Sequence, residues 1–222
     1  MTDPATSLRR LPRGRHGLPR EHVVASQRER ILQAMGEAMA DNGYVGTSVA
    51  AILKKAGVSR ETFYEQFRSK EDCFEAAYQR AVELLLDRIA ETDAPTADFG
   101  DDPVERMRRL FGTYLQHLAD DPASARLFLV EVYAVGAKAV ARRIELQDLF
   151  VDRIAEVLDA RTPEQRFACR TLAAAVGAMV TGKIATGKIA TDDVAGLLAL
   201  REPLVELVVR GGELYGQALA RG

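Results

Sequence analysis

The stretch AGVSRETFYEQFRSKED, residues 56 to 72, brings Ser59, Arg60, Thr62, Tyr64, Arg68, Ser69 and Lys70 into seventeen positions. Hydroxyls, a phenol and cations at this density donate hydrogen bonds and positive charge. They suit the recognition of an anionic, oxygen-rich surface and supply no nucleophile with its base. Elsewhere the chain is poor in reactive groups. Its two cysteines, Cys73 and Cys169, form no CxxC or Cys/His cluster and read as buried or incidental thiols. His16 and His22 lie in or beside a basic arm, His117 stands alone among apolar residues, and no Glu-x-x-His pair occurs. A metal set or a catalytic constellation is not signalled, so a helical enzyme is the remotest functional class.

Those groups need a frame. With Ser59 as N-cap, Phe63 and Phe67 fall one helical turn apart and bury together. Arg60 and Tyr64 then flank the buried face, and Glu61, Thr62 and Glu65 point away from it. A helix this short is unstable alone and must be clamped by its neighbours. The preceding helix is capped by Thr47 or Ser48, runs through Val49, Ile52 and Leu53, and breaks at Gly57. Two helices joined by the Ala56-Gly57-Val58 turn make a helix-turn-helix, whose second helix enters the DNA major groove with its N-terminal residues at the base edges. An ordinary αα-corner inside a bundle has the same bare signature.

The composition is that of a globular chain. It has 222 residues, 47% hydrophobic and 28% charged, with a formal net charge of −2. That charge is unevenly spread. Residues 1–70 hold 12 Lys/Arg against 7 Asp/Glu, or +5, and residues 71–222 hold 18 against 25, or −7. A basic end on an acidic body suits a polyanionic partner at that end. No apolar run approaches the ~20 residues that span a bilayer, and the first twenty residues carry no apolar signal core. The expectation is a cytoplasmic protein without a membrane partner.

Residues 1–21 carry Arg9, Arg10, Arg13, Arg15 and Arg20 among prolines and glycines, a flexible basic arm that either tracks DNA or is solvated. From His22 the pattern is helical, with Ile31, Leu32, Met35, Ala38 and Met39 on one face and a stop at Asp41-Asn42-Gly43. Ser69 caps a fourth helix, with Asp72 three residues on as a capping-box variant, and that helix continues to about residue 92. A loop over 94–103 precedes helical segments near 103–119, 122–136, 138–159, 163–186 and 193–220, with Pro203 starting or kinking the last. TGKIATGKIAT, residues 181–191, repeats five residues. A five-residue step turns about 140° on a helix, so the copies face different ways and present no common stripe. The fold class is all-α, divided into the arm (1–21), a three-helix DNA-binding region (22–69) and a larger helical regulatory and dimerisation region (70–222).

ILQAMGEAMADNGYVGTSVAAIL and KKAGVSRETFYEQFRSKEDCF resemble the DNA-binding region of the tetracycline-repressor (TetR) family of bacterial transcription regulators. The resemblance rests on the order Gly-Tyr, Thr-Ser-Val, Ala-Gly-Val-Ser, Thr-Phe-Tyr, Phe, Ser-Lys-Glu-Asp, and directly covers about a fifth of the chain. It implies that Thr47 or Ser48 holds a phosphate, that Ser59 opens the reading helix, that Arg60 and Thr62 contact bases, and that Tyr64 and Lys70 hold further phosphates. Glu61 either accepts from a cytosine amino group or complements the helix N-terminus and orients Arg60. The chain departs from the family pattern with Gly36 and Ala38 in the first helix and Leu53 in the second, and Leu53 is expected to fill the vacated space.

By the same resemblance, the last two long helices, 163–186 and 193–220, pair with a second copy, and the middle helices enclose a ligand. Phe111, Tyr114, Leu118, Phe128, Tyr133 and Phe150 are the candidate liners, each also suited to plain core. No cofactor is implied. The expected function is a homodimeric repressor on a palindromic operator, released by a small apolar or amphipathic effector. A DNA-binding activator or organiser without a ligand is the alternative.

Overall fold

The computed structural model describes residues 19–92, 102–186 and 191–221. The described residues are helical, with no strand among them. Most of the basic arm and all but the end of the loop over 94–103 lie outside them, as does most of the second TGKIA copy.

Helix α1 (Arg20–Gly46) buries Ile31, Leu32, Met35, Ala38 and Met39, and turns sharply at Gly43, where φ is 66°. The Asn42 side-chain amide donates to the Ala38 carbonyl just before the kink. Helix α2 (Val49–Ala56) opens on Ser48, whose hydroxyl accepts from the Ala51 N–H at 3.2 Å. It closes on Gly57 in the left-handed region at φ 64°, which a residue without Cβ adopts freely. Ser59 caps α3 (Arg60–Tyr64) by accepting from the Thr62 N–H at 3.0 Å.

Helix α4 (Lys70–Thr92) begins at a reciprocal cap. The Ser69 hydroxyl accepts from the Asp72 N–H at 3.2 Å, and the Asp72 carboxylate accepts from the Arg68 N–H at 2.8 Å. That backbone bond, joined by the Arg68 guanidinium, holds the Asp72 carboxyl below the ordinary aspartate range despite some burial. A depressed folded pKa contributes stability above the unfolded-state value, about 3.9, and loses it as pH falls through the folded value. Asp72→Asn is therefore expected to be less stable than the parent at pH 7, by a margin that shrinks as the pH falls through the acid range. Urea titrations over a series of pH values check this.

The rest of the chain comprises α5 (Pro103–Asp120), α6 (Pro122–Arg126), a π turn (Leu127–Glu131), α7 (Val132–Val135), α8 (Ala137–Val157), α9 (Pro163–Thr186), α10 (Thr191–Leu198) and α11 (Arg201–Gly211). Asp102 and Asp121 cap α5 and α6, each followed by proline at the first helical position. Two expected helices are broken. The segment 122–136 is interrupted by the π turn and ends at Gly136, where φ is 129°. The segment 193–220 divides into α10 and α11, with Pro203 in the first turn of α11, and 3-10 turns follow from Gly212.

Two hydrophobic cores result. One lies inside the head, α1 to α3, and takes in Cys73, Phe74, Ala77, Tyr78 and Val82 of α4 together with Leu127, Val132 and Leu146. The other fills the body between α4, α5, α8, α9 and α11. Gly36 faces Ala123, Ser124 and Leu127, so the room beside it is taken by α6 and the π turn; the expected Leu53 compensation does not account for it. Leu53 packs, half-buried, at the edge of the head core.

Residues 163–185 of α9 are long and apolar enough, by length and composition, to cross a bilayer, which corrects the expectation that no such run exists. Cys169, Leu172, Val176, Val180 and Ile184 on one side of that helix are body core. Both cysteine side chains are buried, and burial pushes the Cys73 thiol up to about 12 and the Cys169 thiol to about 11.

Candidate DNA-binding face and effector chamber

Helix α3 is held from below. Phe63 is fully buried and Phe67 nearly so, with ring centroids 5.4 Å apart, and the Arg28 guanidinium of α1 lies 4.5 Å from the Phe67 ring centre. The opposite side is open. Ser59, Arg60, Glu61, Tyr64 and Glu65 are exposed, and Thr62 is half-buried, its hydroxyl 3.0 Å from that of Ser59. Tyr64 stands edge-on to Phe63, which aims the phenol outward from a fixed base. The exposed surface thus combines a guanidinium, a phenol and the hydroxyls of Ser48 and Ser59 at two helix N-termini, where backbone N–H groups favour anions.

Two residues expected to touch phosphate are turned inward. Thr47 is 2% exposed, and its hydroxyl donates to the carbonyls of Gly43 at 2.7 Å and Ala38 at 3.0 Å. It locks the kinked end of α1, leaving Ser48 as the surface hydroxyl. The Lys70 ammonium donates to the Tyr44 and Thr47 carbonyls at 3.0 and 3.1 Å and lies 4.0 Å from the Tyr44 ring centre. Two of its three N–H groups are committed to bracing α1 against α4. The Tyr44 hydroxyl completes the brace by donating to Glu71 at 2.9 Å, and burial followed by that carboxylate pushes the phenol up to about 12.

One body carboxylate reaches the same brace. Glu131, at the end of the π turn, is 7% exposed and accepts from the buried Tyr44 N–H at 2.8 Å and from the Arg126 side chain at 3.1 Å. Sequence reasoning missed it, because a glutamate next to Val130 and Val132 looks like any solvated helical residue.

Within the body, Phe111, Tyr114, Phe128 and Phe150 line a small, mostly apolar chamber of about 50 Å³ with Leu129, Leu146, Ile154 and Val176. Leu118 is buried core outside this lining, and Tyr133 is 54% exposed beneath the Arg143 guanidinium, so neither joins the chamber. Arg143 and Gln147 do line it. Their spacing with Phe150 and Ile154 places them on one helical face, a signal legible in the sequence but not used. Burial, then the nearby Arg88, lowers the His117 pKa, and no group of His, Cys, Asp and Glu fit to hold a metal ion occurs among the described residues.

A capped helix-turn-helix standing on a larger helical body defines a DNA-binding regulator of transcription. Residues 31–77 match the bacterial regulatory proteins of the tetR family, and residues 100–188 match the tetracyclin repressor-like C-terminal domain. Together these matches cover more than half of the chain, which belongs to the TetR family and is not an enzyme.

Among its relatives is the HTH-type transcriptional activator FasR of Mycolicibacterium smegmatis, 23% identical over 162 residues, 73% of this chain and 70% of FasR. The HTH-type transcriptional regulator RutR of Escherichia coli K12 is 27% identical over 117 residues, and there the chain spans about half of the relative, 52%. Among solved structures, FadR of Bacillus subtilis in complex with stearoyl-CoA aligns with a TM-score of 0.67 at 20% identity, over 81% of this chain and 96% of FadR. A TetR-like regulator from Rhodococcus sp. RHA1 gives 0.63 at 24% identity, over 87% and 99% of the two chains. These likenesses confirm the all-helical fold.

Proposed function

We propose that the chain is a homodimeric repressor that binds a palindromic operator through α3 and leaves it when an amphipathic effector fills the body chamber. The observation that carries this reading is the two-sided α3, with Phe63 and Phe67 buried beneath it and Arg60, Glu61 and Tyr64 free above. In this reading Arg60 and Thr62 meet base edges, Ser48, Ser59 and Tyr64 grip phosphates, and Glu61 orients Arg60. The protein acts in the cytoplasm, where its operator lies.

Dimerisation is proposed through α8 and α9, not through a long final helix, because the segment after residue 191 is short and broken. The outer side of α9 exposes Phe167, Thr171, Ala174, Ala175, Ala178 and Met179, and α8 exposes Leu149 beside the Asp148–Arg170 and Asp152–Arg166 ion pairs. A self-complementary strip of small and apolar residues suits a twofold interface. The stearoyl-CoA in the FadR structure supports an apolar-chain effector here, as do the aromatic chamber walls.

Selection of bound sequences from random duplex DNA tests the reading. It is expected to return an inverted repeat whose half-sites lie about one helical turn, ~34–36 Å, apart. Arg60→Ala is expected to weaken binding by about 1–3 kcal/mol and to relax preference at one base pair per half-site. An unrepeated half-site would overturn the dimer, and unchanged preference would remove Arg60 from the bases. An activator is the second reading, favoured by the name of FasR. A reporter placed behind the selected site separates them, since only an activator lowers expression when deleted.

A further inference from the structure

Two buried hydrogen-bond donors beside the chamber have no acceptor. Tyr78 of α4 is 2% exposed, and its hydroxyl meets no partner. Arg143 of α8 lines the chamber with its Nε buried and unpaired, and its guanidinium faces the Tyr133 ring at 5.3 Å. Buried polar groups are nearly always satisfied in native proteins, so two orphaned donors lining adjoining cavities point to a missing acceptor.

The two donors flank one aromatic wall. The Tyr78 ring stacks on Phe128, with centroids 5.2 Å apart and planes 20° from parallel. Phe128 lines the chamber, and Tyr78 lines a cleft of about 550 Å³ between the first turns of α4 and the start of α8. The other charges of that cleft are matched. Arg68 pairs with Asp72, Lys138 with Glu75, Arg142 with Glu145 and Gln79, and Glu71 takes the Tyr44 hydroxyl. On the chamber side of the wall, Arg143 brings a positive charge whose Nε has no partner. Burial raises the Tyr78 phenol, so its hydroxyl stays protonated and can only gain by donating.

We infer that the effector is an elongated amphipath with an anionic hydrogen-bond acceptor, which parts the Tyr78–Phe128 stack, lays its apolar chain in the chamber and accepts from the Tyr78 hydroxyl and the Arg143 Nε. This rests on the effector reading above and names the chemistry it requires. At about 50 Å³ the chamber is too small for such a chain, so Phe128 must move. Phe128 belongs to the π turn whose last residue, Glu131, holds the Tyr44 N–H of the head, which gives ligand entry a direct mechanical route to the reading face.

Calorimetric titration of the full chain with decanoate, decanol and decyltrimethylammonium, all below their micelle concentrations, tests the assignment. Decanoate is expected to bind at least about tenfold more tightly than decanol, with the cation weakest. Tyr78→Phe should lower decanoate affinity about fivefold and Arg143→Met more than about tenfold, both leaving decanol unchanged. Neither change should lower the melting temperature, since each removes an unsatisfied donor.

Equal affinity for decanoate and decanol, no decanoate binding, or a preference that survives both substitutions would overturn the proposal. A parallel operator-release assay separates the two readings. Selective decanoate binding without release keeps this site and removes the release function, whereas equal release by decanol keeps release and removes this site.

Discussion

Phe63→Ala is expected to unfold the reading head under conditions where the parent is folded. Phe63, in a five-residue helix, is completely buried and touches both Tyr64 and the following Phe67. So short a helix has no stability of its own, and its position is set almost entirely by those rings. Truncating a buried phenylalanine costs about 3–5 kcal/mol, against a total stability of about 5–15 kcal/mol for a typical domain. The urea midpoint followed by circular dichroism should fall sharply, and operator binding should be lost. Tyr64→Ala provides the contrast. Its ring is 48% exposed, so stability should stay within about 1 kcal/mol of the parent while DNA affinity drops. If Phe63→Ala keeps both its midpoint and its DNA affinity, α3 is not anchored in this way.

Glu131→Ala should have the second-largest effect, although residue 131 lies far along the chain from the reading helix. Removing the carboxylate leaves the buried Tyr44 N–H without an acceptor and Arg126 without its partner. The expected cost is about 3 kcal/mol. Glu131→Gln keeps an oxygen for the Tyr44 N–H and should lose less than half as much. Gly43 lies beside this carboxylate, where a Cβ would make an ordinary 3.5 Å contact, and the condition it meets is the backbone's, with φ 66°. Thermal melts of the two variants, read beside DNA affinity, decide the matter. Equal melting temperatures for parent and Glu131→Ala would show that the contact contributes nothing.

Local chemistry accounts for what could be read in the sequence. Ser48, Gly57, Ser59 and Ser69 punctuate the head through contacts with residues within four positions, so their types predict their places. The pairing of Phe63 with Phe67 follows from a single helical turn. Thr47 and Ser48 could not be told apart, because either can cap α2 and only the packing of the α1 kink turns one of them inward. Pro203 signalled the start of α11, whereas the π turn went unseen for a related reason, as it lies in an apolar run whose period is helical throughout. Leu118 and Phe111 are equally apolar, and which of them faces a cavity depends on how α5 is rotated against α8 and α9. The role of Glu131 is tertiary: neighbours far away in sequence convert a commonplace charged residue into a buried one.

The head's own hydrophobic interior contains Leu127, Val132 and Leu146, residues supplied by the body. A chimaera joining residues 20–92 to the remainder of some other regulator would arrive with three holes in its centre unless the new partner carried matching side chains at matching heights. Recombination between genes of this kind would thus seldom produce a working hybrid, and new operator preferences would arise by substitution on the open side of α3.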